Sequence, residues 1–435
     1  MAQTPGPTRS DARARPAGIT VLQGAALYVA AVLGTGVIAL PALATAAAGP
    51  ASIVAWFALT LLSIPLASTF AALGARHPDA GGVATYVRLA FGRRVAGVVG
   101  WCFLFGVTTM VPAAAMFACD YVAQALGGHC TAAAAACALI LGVVLLNAFG
   151  AVASGRVQLV LSALLVSLLV AAVAVSAPHA RLCNLRPFAP RGWRGVIDAA
   201  ALLMWSFAGW EAITHLAAEF RRPRHDIPRS TGIALGVVGV LYLGVAAATV
   251  LVLGPAAGAD PSPLASLLAT GLGSHAITIA AVAALALCFG TLNVYIAGAA
   301  KLGAALGRDG ALPAWFAQGC RCGQVPRRAL AVLATLVLGM FAAARLTGLG
   351  SRPLVLLTTG SFTLVYVLGT AAALRLLKRR TGLWLGACFA LVADLGLLAA
   401  TGWFVLWPCL IGAGALLYQR GARSRATPAH PAGLS

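Results

Sequence analysis

Residues 18–48 form an apolar run long enough to cross a bilayer, yet Val32-Leu33-Gly34-Thr35-Gly36-Val37-Ile38 lies at its centre and Pro41 follows. Two glycines in three residues break a helix at the depth where an unbroken one is most favoured. Non-helical backbone survives there only when it is buried in protein or lines a cavity. The N–H groups freed at the start of the following half-helix sit at its positive end and can hold an anion such as a carboxylate. The rest of the chain must therefore supply a protein frame around this stretch.

Composition agrees with a membrane setting. The 435 residues are 61% hydrophobic and only 9% charged, with a mean hydropathy of +0.93, which excludes a soluble globular chain of this size. Twelve apolar runs can be traced, at 18–48, 51–74, 95–126, 130–150, 156–177, 196–220, 230–254, 273–304, 327–345, 352–376, 382–401 and 403–419. This predicts an all-α polytopic membrane protein of about 12 transmembrane helices. The net charge of +20 sits mostly in short loops, so the positive-inside rule accounts for it and no nucleic-acid partner is implied. With the N-terminus inside, the inner segments hold Arg76, Arg88, Arg93, Arg94, Arg221, Arg222, Arg224, Arg229, Arg327, Arg328, Lys378, Arg379 and Arg380, among others. Both termini are then cytoplasmic. The four arginines of the 178–195 loop run against the rule and are outvoted.

The expected organisation is a cytoplasmic tail at 1–17, a core at 18–376 (repeats at 18–177 and 196–376), two peripheral helices at 377–419, and a second tail at 420–435. Residues 77–88 suit a short amphipathic helix on the inner surface. Gly232-x-x-x-Gly236 predicts a close helix neighbour. Most cysteines lie inside apolar runs and read as small buried hydrophobes. Cys320-Arg321-Cys322 is too tight for a zinc site, so neither metal nor cofactor is expected. Cys130 and Cys183 could pair, but free thiols are the simpler reading.

A second interruption lies at Ser206–Glu211, in the sixth run. Paired breaks at matching positions of two halves point to a midplane site in an inverted-repeat transporter. Glu211 and His215 are four apart and would share one face of an inner half-helix, with Glu219 roughly 12 Å from Glu211 at 1.5 Å per residue. Titratable groups at membrane depth are functional candidates, here for proton exchange. Glu219 reads instead as a surface partner of Arg88 or Arg222. Asp120 reads as solvated at the outer end of its span, and Asp394 as of minor weight. No His-Glu-x-x-His or Gly-x-Ser-x-Gly is present, and Gly34-Thr35-Gly36 follows no strand, so an enzyme is not expected.

At these residues the chain resembles the amino acid–polyamine–organocation superfamily over about 18–376. The resemblance is carried by Gly34-Thr35-Gly36, His77-Pro78-x-Ala80-Gly81-Gly82 with Gly92, and Phe207-x-Gly209-x-Glu211. It extends to Glu219-Phe220-Arg221-x-Pro223-x-x-Asp226-Ile227-Pro228-Arg229 and Arg308-Asp309-Gly310-x-Leu312-Pro313. Gly209-Trp210-Glu211-Ala212 with His215-Leu216-x-x-Glu219-Phe220 is most similar to bacterial exporters of methionine and branched-chain amino acids.

The resemblance implies a five-plus-five inverted repeat with broken helices one and six, in a bacterial cytoplasmic membrane. A substrate carboxylate would meet the backbone around Gly34, Thr35 and Gly36. Its ammonium would meet carbonyls near Val32, Trp205, Ser206 and Phe207, beside Gly209. Phe207 or Trp210 would gate the site, with Glu211 and His215 coupling to protons. Met110, Val111, Met116, Asn293 and Phe362 would line the side-chain pocket. An apolar wall without a spare charge favours a neutral aliphatic substrate. The fifth helix lacks the lysine that some relatives carry in place of sodium, offering only Arg156 and Gln158, and Thr291 is a lone hydroxyl in the eighth; proton coupling fits better. An importer or exchanger of other amino acids or amines on this fold, or a transport-dead sensor, is the alternative.

Overall fold

The computed structural model describes residues 18–79, 81–126, 128–149, 155–211, 214, 217, 219–273, 275–318 and 325–426. Among these the regular elements are all helices, apart from one isolated parallel bridge between Ile19 and Phe220. The first apolar run is two helices, α1 (Val21–Leu33) and α2 (Gly36–Ala48). Thr20 starts α1 with a capping box: its hydroxyl accepts from the Gln23 N–H, and the Gln23 side chain accepts from the Thr20 N–H, satisfying two end groups. The chain continues as α3 (Ser52–Arg76), α4 (Val83–Phe91), α5 (Arg93–Leu126), α6 (His129–Ala148) and α7 (Gly155–Ser176).

The sixth run is α8 (Gly192–Phe207), which stops at Ala208. Then come α9 (Pro223–Ala248), α10 (Pro263–Leu272), α11 (His275–Arg308), α12 (Arg327–Leu346), α13 (Ser351–Leu376), α14 (Gly382–Ala400) and α15 (Leu406–Ala426). Nine helical segments among the described residues are long and apolar enough to cross a membrane; Val21–Arg76, one of them, holds α1, α2 and α3. The apolar part of α6, Ala133–Ala148, is shorter, as is α8.

Long α5 is the central post, packed against α11, α13, α6, α15 and α4. The broken pair sits beside it, with α2 against α8 and α1 against α9 and α7. Threonines within the spans turn their hydroxyls back onto the carbonyl one turn earlier, Thr45 donating to Pro41 O at 2.8 Å and Thr69 to Pro65 O at 2.7 Å, so that their polar groups are satisfied inside the helix. Large apolar side chains such as Phe57, Ile64, Val240, Val282, Phe389 and Val392 point outward, a perimeter suited to lipid.

Three expectations need correction. The surface helix begins only at Val83, because the Asp79 carboxylate takes the Gly81 N–H and the Thr85 hydroxyl first. Its Val83, Tyr86 and Val87 are buried in the bundle, against α5 and α13. Gly232 and Gly236 meet no neighbour, since a Cβ added to either would touch nothing within 4 Å. The described residues of the inner part of the sixth run do not continue as an α-helix. Its described residues Thr214, Ala217 and Glu219 are in 3-10 conformation, and the Thr214 N–H donates to Glu211 O at 2.9 Å, an i→i+3 bond. His215 lies outside the described residues, as do Cys320, Arg321 and Cys322. Cys183 is a free thiol.

Candidate functional site

The two breaks touch. At the first, Gly34 takes φ +22° and α2 restarts at Gly36 with no side chain capping its first turn; the N–H groups there are the ones a helix leaves unpaired. At the second, Ala208 ends α8 and Gly209 takes φ +134°. Only glycine is comfortable there, and a Cβ would also lie 2.9 Å from Ala31 O, in the last turn of α1. Gly36 is pressed in turn against Ser206, whose hydroxyl a Cβ on Gly36 would strike. The glycines of the two motifs thus let each break pack on the backbone of the other.

Two tyrosines that the sequence reading did not single out hold the junction. The Tyr242 hydroxyl, from α9, lies 2.5 Å from Val32 O and 2.7 Å from Ser206 O, one freed carbonyl from each break. It carries one proton for two acceptors. Tyr366, from α13, donates to Phe207 O at 3.3 Å and bonds Glu211 Oε2, while its oxygen accepts the Gly209 N–H at 3.0 Å. The same Glu211 oxygen accepts the Gly209 N–H at 2.8 Å. Glu211 is fully buried, and its second oxygen, Oε1, has no partner. Tyr242 and Tyr366 were legible only as tyrosines inside apolar runs, a weak signal.

A small cavity sits at the junction, lined by Val32, Thr35, Gly36, Met110, Trp205 and Phe362 of the predicted residues, together with Ala31, Ala208, Thr291, Tyr295 and Thr358. No lining residue carries a charge. Its volume is about 10 Å³, room for roughly one water, so an amino-acid-sized guest requires the walls to part. Trp205 meets Phe117 edge-on at 5.8 Å on one side, and Phe362 meets Phe103 and Tyr295 at 5.3 and 6.0 Å on the other. Towards the basic loops the closure continues. Trp210 packs on Tyr28 at 5.7 Å, the Ile19 N–H donates to Glu219 O at 2.9 Å, and the Arg221 N–H donates to Ile19 O at 3.2 Å.

Other predicted residues lie elsewhere. Phe207 faces Tyr242 and Trp56 (5.1 and 6.1 Å) rather than the cavity. Trp210 and Val111 are buried outside the lining. Asn293 is turned to α6, where the Asn147 side-chain amide donates to its Oδ1 at 2.6 Å. Met116 and Asp120 line a separate cavity, so Asp120 is not simply solvated. Arg222 reaches Asp226 at 3.9 Å, not Glu219; Asp226 Oδ2, in the first turn of α9, also accepts the N–H of Arg222, the residue before the helix, at 3.0 Å. Asp394 is fully buried, with Oδ2 near the Thr370 hydroxyl at 3.4 Å and Oδ1 unpartnered.

A sequence profile of the amino acid permease family matches residues 19–423, nearly the whole chain and both breaks. The chain belongs to the amino acid permease family. The permease is 35% identical over 401 residues to the L-methionine/branched-chain amino acid exporter YjeH of Escherichia coli K12, covering 90% of this chain and 93% of that one. It is 34% identical over 408 residues to YecA, an uncharacterized amino acid permease of Bacillus subtilis, covering 92% and 95%. A more distant relative is the branched-chain amino acid permease BcaP of Bacillus subtilis, 26% identical over 240 residues, about half of each chain.

Proposed function

We propose that the permease is a secondary transporter of neutral aliphatic L-amino acids (methionine, leucine, isoleucine and valine), working as a proton-coupled exporter by alternating access. In this reading the chain crosses the cytoplasmic membrane twelve times as a five-plus-five inverted repeat with two peripheral helices, both termini inside. The observation that carries it is the contact between the breaks. The uncapped start of α2 offers N–H groups to a carboxylate. Val32 O and Ser206 O share one tyrosine proton, so an arriving ammonium supplies the donor that one of them lacks. The uncharged lining around Met110, Trp205, Tyr295 and Phe362 suits an aliphatic side chain and penalises an unpaired charged one.

Coupling falls to Glu211, the carboxylate at the second break. Its bonds to Gly209 N–H and Tyr366 OH tie its protonation to the geometry of the break itself. The likeness to the methionine and branched-chain exporter supports the substrate class and the direction. Counterflow in proteoliposomes tests the proposal. Vesicles loaded with methionine or leucine should take up labelled methionine, at a rate that depends on pH and not on sodium, while arginine-loaded vesicles should not. Equal uptake with arginine inside would refute the substrate class.

A further inference from the structure

The proposed transport leaves one fully buried carboxyl without a task, Asp394 of α14. Most of α14 looks outward, and its buried residues are Ala387, Ala390 and Asp394, a single seam at i, i+3 and i+7. At that seam Asp394 Oδ2 lies 3.4 Å from the Thr370 hydroxyl of α13, and Oδ1 has no partner. A hydroxyl has one proton to give, and Thr370 already points its own at Tyr366 O, 2.8 Å away. The Thr370 oxygen is then left to Asp394 as an acceptor, and the carboxyl must bring the proton. No cation removes that need. The elements packed on α14 are α3, α8, α13 and the turn at 402–405. Their titratable groups are Arg76 at the end of α3, Arg194 and Asp198 early in α8, and Arg352, Tyr366 and Arg375 on α13, with Cys388 on α14 itself. Among the described residues no cation pairs with Asp394. A carboxyl buried in a membrane span without a cation is tolerated with its proton and costly without it.

The neighbours of Asp394 are the parts that have to move. The cavity at the breaks is lined by Trp205 of α8, by Ala208 at its end, and by Thr358 and Phe362 of α13, and these walls must part for an amino acid. α14 packs on both α8 and α13, so its seam cannot keep register with both when they separate. Thr370 also lies one turn from Tyr366 on the same face of α13, and Tyr366 bonds Glu211. One helix thus carries the contacts of both buried carboxyls. We propose that Asp394 is a second proton-binding site of the permease, loaded in this closed arrangement and discharged to entering water when α8 and α13 part, so that Glu211 and Asp394 each carry one proton per cycle. The coupling role rests on the transport reading above; the proton on Asp394 does not.

Two measurements on the full-length permease test it. In proteoliposomes held at zero membrane potential, the methionine gradient sustained by a pH gradient of about one unit counts the protons per methionine, about tenfold for each. It should be about 100-fold for the wild type and about 10-fold for Asp394→Asn and for Glu211→Gln. Infrared difference spectra with and without methionine read the proton itself. The C=O band of a protonated carboxyl should change on binding, disappear in Asp394→Asn, and shift in Thr370→Val, which removes the partner hydroxyl. Equal gradients in wild type and Asp394→Asn, with no methionine-sensitive band altered by either substitution, overturn the second site and leave transport coupled through Glu211 standing. A band that belongs to Asp394 but ignores methionine marks a fixed structural proton and overturns it too. No methionine gradient in the wild type, with a methionine-sensitive band that both substitutions alter, sinks the proton-coupled reading instead and sustains the proton site. If Asp394→Asn does not reach the membrane, the band in Thr370→Val decides: a shift supports the site, and an unshifted band overturns it.

Discussion

The two breaks of the permease are built from different materials. The first, Gly34-Thr35-Gly36, offers backbone groups and the hydroxyl of Thr35, with no titratable side chain. The second carries a fully buried carboxylate, Glu211, braced by its own Gly209 N–H and by Tyr366 from α13. Backbone N–H groups at a helix start recognise an anion without introducing a fixed charge that would itself need a partner in the membrane. A buried carboxylate can gain and lose a proton and change what it bonds. On the proposed function, recognition falls to the first break and coupling to the second, and Tyr242 joins the two breaks by touching one carbonyl of each.

Four substitutions sharpen or break that division, in decreasing order of expected effect. Gly36→Leu places a side chain in Ser206 and should abolish central binding and counterflow, a loss above roughly 100-fold (~2.7 kcal/mol), with membrane insertion unchanged by fractionation. Retained counterflow would take the first break out of recognition. Glu211→Gln keeps size and hydrogen bonding but cannot ionise. Exchange should continue within about 10-fold of wild type, and the pH dependence of proton-driven transport should flatten; an unaltered profile would move coupling elsewhere, with buried Asp394 the next group to test.

Tyr242→Phe removes the hydroxyl that touches one carbonyl of each break. It should lower stability by about 1–3 kcal/mol, the cost of a buried polar group left unpaired, and weaken methionine binding several-fold, both readable by thermal unfolding with and without ligand. A variant that unfolds and binds like the wild type would separate the breaks. Asn293→Ala breaks the amide bond to Asn147 and should cost only ~0.6–2 kcal/mol, as interhelical hydrogen bonds in membranes do, with unchanged methionine affinity because Asn293 lies outside the cavity. A change in substrate selectivity would return Asn293 to the pocket.

What the sequence made legible follows from physics. Glycine pairs inside apolar runs announce breaks because few other residues tolerate them, and Gly34 and Gly209 both prove to adopt positive φ. The apolar runs announce helices because lipid permits little else. Side-chain direction is another matter. Phe207 and Trp210 stand on either side of Gly209, Phe207 in the last position of α8 and Trp210 past its end at Ala208, where the 3.6-residue period no longer says where a side chain points. Phe207 turned to Tyr242 and Trp56, and Trp205 lined the cavity. Met116 and Asn293 missed the cavity because α5 and α11 are apolar on nearly every side, whether that side meets protein or the outer perimeter, and so have no polar face to fix their rotation. Tyr366 and Tyr242 reach the breaks from helices more than 30 positions away in sequence, a pairing no local pattern encodes.

The central claim is that the start of α2 receives a carboxylate while the freed carbonyls receive an ammonium. Its most direct test leaves the protein unaltered and changes the ligand. Methionine, methioninol and N-acetylmethionine would each compete with labelled methionine for wild-type permease in counterflow. Only methionine should compete, because methioninol lacks the anion and N-acetylmethionine lacks the cation. Competition by methioninol as strong as that by methionine would contradict the assignment of the first break as the carboxylate site.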